Sequence, residues 1–215
     1  LSQGINDLHR VLSNVKDRGT WAEIQLQGIL DQTLPPNMYV KNYNAKSTSA
    51  EHVEFAVKIP VSKDGDQFAY LPVDSKFPME DYRRLCEASD RADKEAIDRA
   101  RKDLAVALKT QARNIKKYIQ LTETTPYAIM YLATEGLYSE VASNLYFMLE
   151  EIQNKYKILV SGQSTILAFI NTLVVSYRAT VMNKKTKEIQ DLLSATKMQY
   201  EKFADLLTTA GNHIE

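Results

Sequence analysis

The chain has 215 residues, with 27 Lys and Arg against 27 Asp and Glu, a formal net charge of zero, and 44% hydrophobic and 25% charged residues. These values fit one ordinary globular domain, or at most one and a half, and exclude a disordered tail, a disulfide scaffold and a low-complexity chain. With no global positive field, any nucleic-acid role must rest on local patches, and the single cysteine, Cys86, excludes an internal disulfide and fits a reducing compartment.

In chain order, Leu1, Ile5, Leu8, Leu12 and Val15 form a heptad seam, read as the end of a coiled coil or as an amphipathic helix docked on the domain. Gly19 is expected to interrupt it, with Thr20 capping a second helix that runs to about Leu30 and stops at Pro35-Pro36. Asn42 to Glu51 is polar and turn-rich. Val53, Phe55, Val57 and Ile59 alternate with Glu54, Ala56 and Lys58, a strand with one apolar face. Lys63-Asp64-Gly65-Asp66 turns the chain, and Phe68 to Ser75 returns as an antiparallel partner.

Met79 to Tyr118 reads as helix, with Ile97, Leu104, Leu108 and Ile115 on one face. Tyr127–Leu132 and Lys157–Val160 read as buried strands separated by a helical Leu137–Tyr156, which predicts parallel pairing. A helix from Thr165 to about Val181 is followed by a final amphipathic helix carrying Ile189, Leu192, Leu193, Tyr200, Phe203 and Leu207. Apolar runs such as Leu173–Val175 are too short to span a membrane. The start at Leu1, without initiator methionine or signal-peptide pattern, reads as a piece of a longer protein. The expected division is a helical extension at 1–18, an α/β core at 19–181 and a C-terminal helical extension at 182–215 packing on that core.

Four residues stand out as candidates for chemistry: Glu23, Glu54, Asp74 and Lys76. Asp74 and Lys76, two apart on a strand, project from one face, and the hairpin brings Glu54 level with Asp74. Two carboxylates a few ångströms apart repel unless a proton or cation lies between them. Oxygen donors of this kind suit Mg²⁺ or Mn²⁺, and a lysine beside such an ion can hold or deprotonate a water. From spacing alone, the simpler alternative is a solvated strand end with a surface acid beside it.

Trp21-Ala22-Glu23, Leu71-Pro72-Val73-Asp74-Ser75-Lys76-Phe77-Pro78, Thr134-Glu135-Gly136-Leu137-Tyr138 and Leu159-Val160-Ser161-Gly162 occur in that order. Together they resemble the RmuC family of bacterial DNA recombination proteins, over roughly Gly19 to Leu207. The resemblance implies a restriction-endonuclease-like mixed sheet flanked by helices, related to the PD-(D/E)xK nucleases. It also implies a Mg²⁺ or Mn²⁺ cofactor and DNA as partner. Upstream, it implies a coiled coil suited to self-association, often behind a membrane anchor in the family, with the core itself cytoplasmic and this fragment free of membrane contact. Residue by residue, Asp74 and Lys76 match the acid and lysine of the nuclease signature, Glu54 its first acid, and Glu23 the acid of the first helix. Val53-Glu54 replaces a usual Pro-Asp and Ala22 a usual glycine, so Glu54 is the less secure metal ligand of the Glu54–Asp74 pair. The competing reading is a non-catalytic DNA-binding or scaffolding module that keeps the nuclease fold.

Glu135 is a second-rank site residue, at a strand's end where α/β sites collect, or simply an acid favoured by a helix start. Arg99, Lys102, Lys109, Arg113 and Lys116 share one helix face, read as a solvated surface or as a strip that tracks DNA phosphates. Lys184, Lys185 and Lys187 carry the same pair of readings. Ser161-Gly162-Gln163-Ser164-Thr165 lacks the spacing and lysine of a phosphate-binding loop, and His9, His52 and His213 form no zinc pattern. Tyr118, Tyr127, Tyr131 and Tyr138 are read as straddling core and surface rather than stacking on bases.

Overall fold

A computed structural model describes residues 15–45, 51–61 and 67–212. The heptad residues before Val15 and the Lys63–Asp66 turn lie outside the described residues.

The elements are α1 (Val15–Thr33), β1 (Tyr39–Tyr43), β2 (Val53–Pro60), β3 (Phe68–Lys76), α2 (Met79–Asp90), α3 (Lys94–Lys116), β4 (Ala128–Leu132), α4 (Glu135–Asn144), α5 (Tyr146–Glu151) with a π-helical turn Ile152–Tyr156, β5 (Ile158–Ser161) and α6 (Gln163–Asn212). The five strands form one sheet in the order β1-β2-β3-β4-β5. β1, β2 and β3 pair antiparallel, while β3, β4 and β5 pair parallel, as the helical connections require.

Side-chain alternation splits the core in two. Phe55, Val57, Leu71, Val73, Ile129 and Tyr131 pack against Leu26 and Leu30 of α1 and Ile166, Ile170 and Val174 of α6. On the opposite face, Ala128, Met130, Leu132 and Ile158 meet Leu85 of α2, Leu104, Leu108 and Ile115 of α3, and Leu137 and Val141 of α4. The result is a three-layer α/β/α domain.

Four expectations need correction. α1 runs through Gly19 without interruption, because a single glycine weakens a helix by only about 1 kcal/mol and Ala22, Leu26, Ile29 and Leu30 bury one face. Met79–Tyr118 is two helices. Ala92 takes a positive φ of 53°, and Asp93 starts α3 afresh, its carboxylate accepting from the Ala96 N–H at 3.1 Å. Asn42 and Tyr43, read as the start of a turn-rich segment, instead end the edge strand Tyr39–Tyr43, which carries no alternating pattern and is drawn in by β2.

The fourth concerns the C-terminal segment, where two helices were expected and one 50-residue helix is found. No glycine or proline interrupts 163–210, and a lysine run is no helix breaker. Nor does this segment pack on the core where its side chains are described: Met182, Ile189, Leu192, Leu193, Met198 and Tyr200 are 58–72% exposed. The expected boundaries at 18/19 and 181/182 therefore both fall inside continuous helices. By length and composition alone, Gln163–Lys202 is long and apolar enough to cross a membrane. Its Ile166, Ile170 and Val174 are nevertheless buried against the sheet.

Candidate active site at the end of strands 2 and 3

Glu54 follows the first residue of β2, and Asp74 and Lys76 end β3. Phe55 opposes Val73, and in an antiparallel ladder the next pair outward is Glu54 opposite Asp74. Phe55 and Val73 face α1 and α6, so alternation turns Glu54, Asp74 and Lys76 toward the other layer. The hairpin thus brings together the acids expected to meet.

Ser75 completes the cluster. Its backbone N–H and its hydroxyl both donate to Glu54 Oε2, at 2.7 and 2.6 Å. Lys76 Nζ lies 2.5 Å from Asp74 Oδ2 and donates to the Ser75 carbonyl at 3.0 Å. The Asp74 side chain is 5% exposed and that of Lys76 25%. Burial, with the charge of Asp74 second, pushes the Glu54 carboxyl up to about 7, against the pull of the Ser75 hydrogen bonds and Lys76. Burial also raises Asp74, with Lys76 opposing. Two acids sharing one lysine leave a net negative charge where water is scarce, and a proton or a hard cation relieves it.

Glu23 is half-buried in α1, two residues beyond Trp21, whose ring lies 5.7 Å from that of Phe77 beside Lys76. It joins none of the contacts that tie Glu54, Ser75, Asp74 and Lys76 together. Among the described residues, no group of three or more His, Cys, Asp or Glu side chains is gathered in a metal-binding arrangement.

Glu135 opens α4 behind the Thr134 cap and accepts from the Ser164 N–H at 3.1 Å and the Ser164 hydroxyl at 2.5 Å. Those bonds, the hydroxyl first, hold its carboxyl below the usual range. It closes the β4–α4 turn onto the start of α6. Nearby, a Cβ on Gly162 would meet Tyr138 Cγ at 2.6 Å. The Thr-Glu-Gly-Leu-Tyr and Val-Ser-Gly motifs are thus two halves of one packing contact.

The α3 strip divides. Arg99 and Lys102 are exposed, Lys109 pairs with Glu151 at 2.5 Å, and Lys116 donates to the Lys155 carbonyl at 3.3 Å. An Arg113 hydrogen bond is the main cause that lowers the Tyr156 phenol. Three of the five cations therefore fasten α3 to the segment before β5. A cleft of about 430 Å³ lies away from the acids, among α2, α3 and α4, where Arg101 pairs with Glu140 at 2.8 Å. It gathers none of the acids that make the strand-end cluster chemically distinctive, so geometry and charge favour the cluster over size.

Sequence reasoning missed Glu51 and Lys117, and read Tyr118 only as straddling core and surface. Lys117 Nζ lies 2.7 Å from Glu51 Oε1, just before β2, and 5.2 Å from the centre of the Tyr118 ring.

Against known proteins, the RmuC family model matches residues 1–215. The chain belongs to the RmuC family. Over 215 residues it is 39% identical to a DNA recombination protein RmuC homolog of Xylella fastidiosa, covering 100% of this chain and 47% of that protein. A homolog so named in Chlamydia pneumoniae is 26% identical over 183 residues, covering 83% of this chain and 40% of its own length. The chain thus spans about half the length of the curated relatives it matches. No solved structure gives a significant match.

Proposed function

We propose that this RmuC-family domain is a Mg²⁺- or Mn²⁺-dependent DNA phosphodiesterase acting in DNA recombination, with a restriction-endonuclease-like core. The observation that carries the reading is the meeting of Glu54, Asp74 and Lys76 at one strand end, a half-buried and a buried acid with raised proton affinity beside a single ammonium group. The fold assignment is supported by the mixed sheet, whose antiparallel ribbon supplies the acids and whose parallel half carries the flanking helices.

The donor set fits a hard dication, because both acids offer oxygen and their ionised forms lack enough positive charge. Glu54 and Asp74 are the residues that would hold it. Such an ion supplies Lewis-acid polarisation of a phosphoryl oxygen and offsets developing negative charge. Ser75 fixes the Glu54 carboxylate through two hydrogen bonds, leaving Oε1 clear of that clamp. Lys76 Nζ, braced between Asp74 and the Ser75 carbonyl, orients a water, and its positive charge favours loss of that water's proton to solvent. Glu23 is assigned no step.

The test is cleavage of single- and double-stranded DNA with Mg²⁺ or Mn²⁺ by the unmodified chain, Asp74→Ala and Lys76→Ala. Cleavage by the unmodified chain and loss in both variants is the expected result. Equal cutting by all three overturns it.

One observation favours the non-catalytic DNA-binding reading: the cluster gathers two acids rather than three, with the lysine engaged by one of them. Steeply salt-dependent DNA binding, indifferent to divalent ions and without cleavage, would select it.

A further inference from the structure

Lys117, the residue that caps the C-terminus of α3, faces away from that helix's basic strip. Consecutive residues are about 100° apart around a helix. Lys116 and Lys109 reach the Lys155 carbonyl and Glu151, whereas Lys117 reaches Glu51, three residues before Glu54. Half-buried Tyr118 lies under the Lys117 ammonium group. Both residues sense the same buried acid: after burial, the charge of Asp74 is the next cause raising the Tyr118 phenol, and it contributes to raising Lys117. Glu51, Lys117 and Tyr118 therefore form a rim over the acid cluster.

That rim must solve an electrostatic problem. Glu51, Glu54 and Asp74 outnumber Lys76 and Lys117 by one charge when ionised, so the site repels a phosphodiester unless a cation faces it. Lys76 is held by Asp74 and is 25% exposed, while Lys117 is 40% exposed. The Lys117–Glu51 pair stands in water, where such pairs are weak and exchange readily. An ammonium group is a point-charge phosphate binder on a flexible stem, able to leave one anion for another.

We propose that Lys117 is the positioning residue that seats a DNA phosphate beside the Glu54–Asp74–Lys76 cluster, with Glu51 as its resting partner. The location rests on the phosphodiesterase reading; the phosphate contact does not depend on cleavage.

The experiment measures binding of a fluorescent DNA oligonucleotide by anisotropy, without divalent ions and across a salt titration. Lys117→Gln is expected to weaken binding about 5–10-fold at low salt and to flatten the log–log salt slope by about 1. Lys117→Arg restores both, Glu51→Gln tightens binding severalfold, and Lys94→Gln, at the far exposed end of α3, changes neither. Unaltered affinity and slope in Lys117→Gln overturn the proposal, as does a complete lack of DNA binding by the unmodified chain. Failure of the unmodified chain to cut DNA with Mg²⁺ or Mn²⁺ would sink the phosphodiesterase reading alone, leaving the binding result to decide Lys117.

Discussion

Glu54 and Glu135 make the same local contact and come out opposite. Each carboxylate is clamped by one serine through both its backbone N–H and its hydroxyl, Ser75 in the first case and Ser164 in the second. Yet Glu54 is pushed up to about 7 and Glu135 is held below its ordinary value. The difference lies beyond the clamp. Glu54 is half-buried beside the buried Asp74, whereas Glu135 is exposed and bridges two helix starts, where backbone N–H groups favour negative charge. A serine clamp fixes where a carboxylate points; its surroundings decide whether it is suited to chemistry or to holding the fold.

The strongest way to break this comparison is to neutralise both acids and follow DNA cleavage. Glu54→Gln is expected to lower the rate at least ~100-fold, as for loss of a group that stabilises transition-state charge, and Glu135→Gln by less than about 2-fold. A comparable loss in both would place Glu135 in the site after all.

A pH series sharpens the contrast next. The folded state holds the Glu54 proton more tightly than the unfolded state, so its stabilising effect is full below about 4.5 and is lost as pH rises through about 7. The effect is on the order of 3 kcal/mol before solvent screening, or several degrees in Tm for a chain of this size. Thermal melts between pH 5 and 8 should show Glu54→Gln losing less stability than the unmodified chain. A parallel decline in the two proteins would refute the burial argument. Mn²⁺ affinity should strengthen over the same window, because the ion displaces the proton.

Gly162→Ala addresses the Glu135 side. Its Cβ would lie 2.6–2.8 Å from Tyr138 Cβ, Cγ and Cδ1, the root of the ring rather than its movable tip. A cost of about 1–3 kcal/mol is expected in denaturant unfolding. Gly136→Ala should cost less, since its new Cβ meets only the far end of Tyr82, the Oη at 2.7 Å. The reverse ranking would refute the packing argument.

Glu135→Gln carries the smallest expected effect, at most about 1 kcal/mol, because the contact is exposed and screened. A depressed carboxyl stabilises above the unfolded value and loses that contribution as pH falls through its folded value. The difference between Glu135→Gln and the unmodified chain should therefore shrink as the pH falls below the usual carboxylate range.

Much of the fold was legible locally. The alternation of Val53, Phe55 and Val57, the apolar runs of β4 and β5, and the spacing of Leu104, Leu108 and Ile115 each give the element and its buried face. Edge strand β1 was not legible, since Tyr39–Tyr43 gains its conformation from pairing with β2. Asp93 had a capping residue's chemistry, but the helical spacing on either side hid the break. Among the site residues, the pairing of Glu54 with Asp74 followed from strand parity, while Glu23 was placed by motif and is not drawn into their contacts.

What the sequence by itself determined is strands β2 to β5 and the buried helix faces, and through them the meeting of Glu54, Asp74 and Lys76, because side-chain periodicity is a short-range property of the backbone. Only the tertiary structure decided that Ser75 clamps one acid, that Lys117 and not its helical neighbours borders the cluster, and that Glu54 and Glu135 differ in proton affinity. Those outcomes depend on burial and on charges brought close from distant parts of the chain, and no local spacing encodes either.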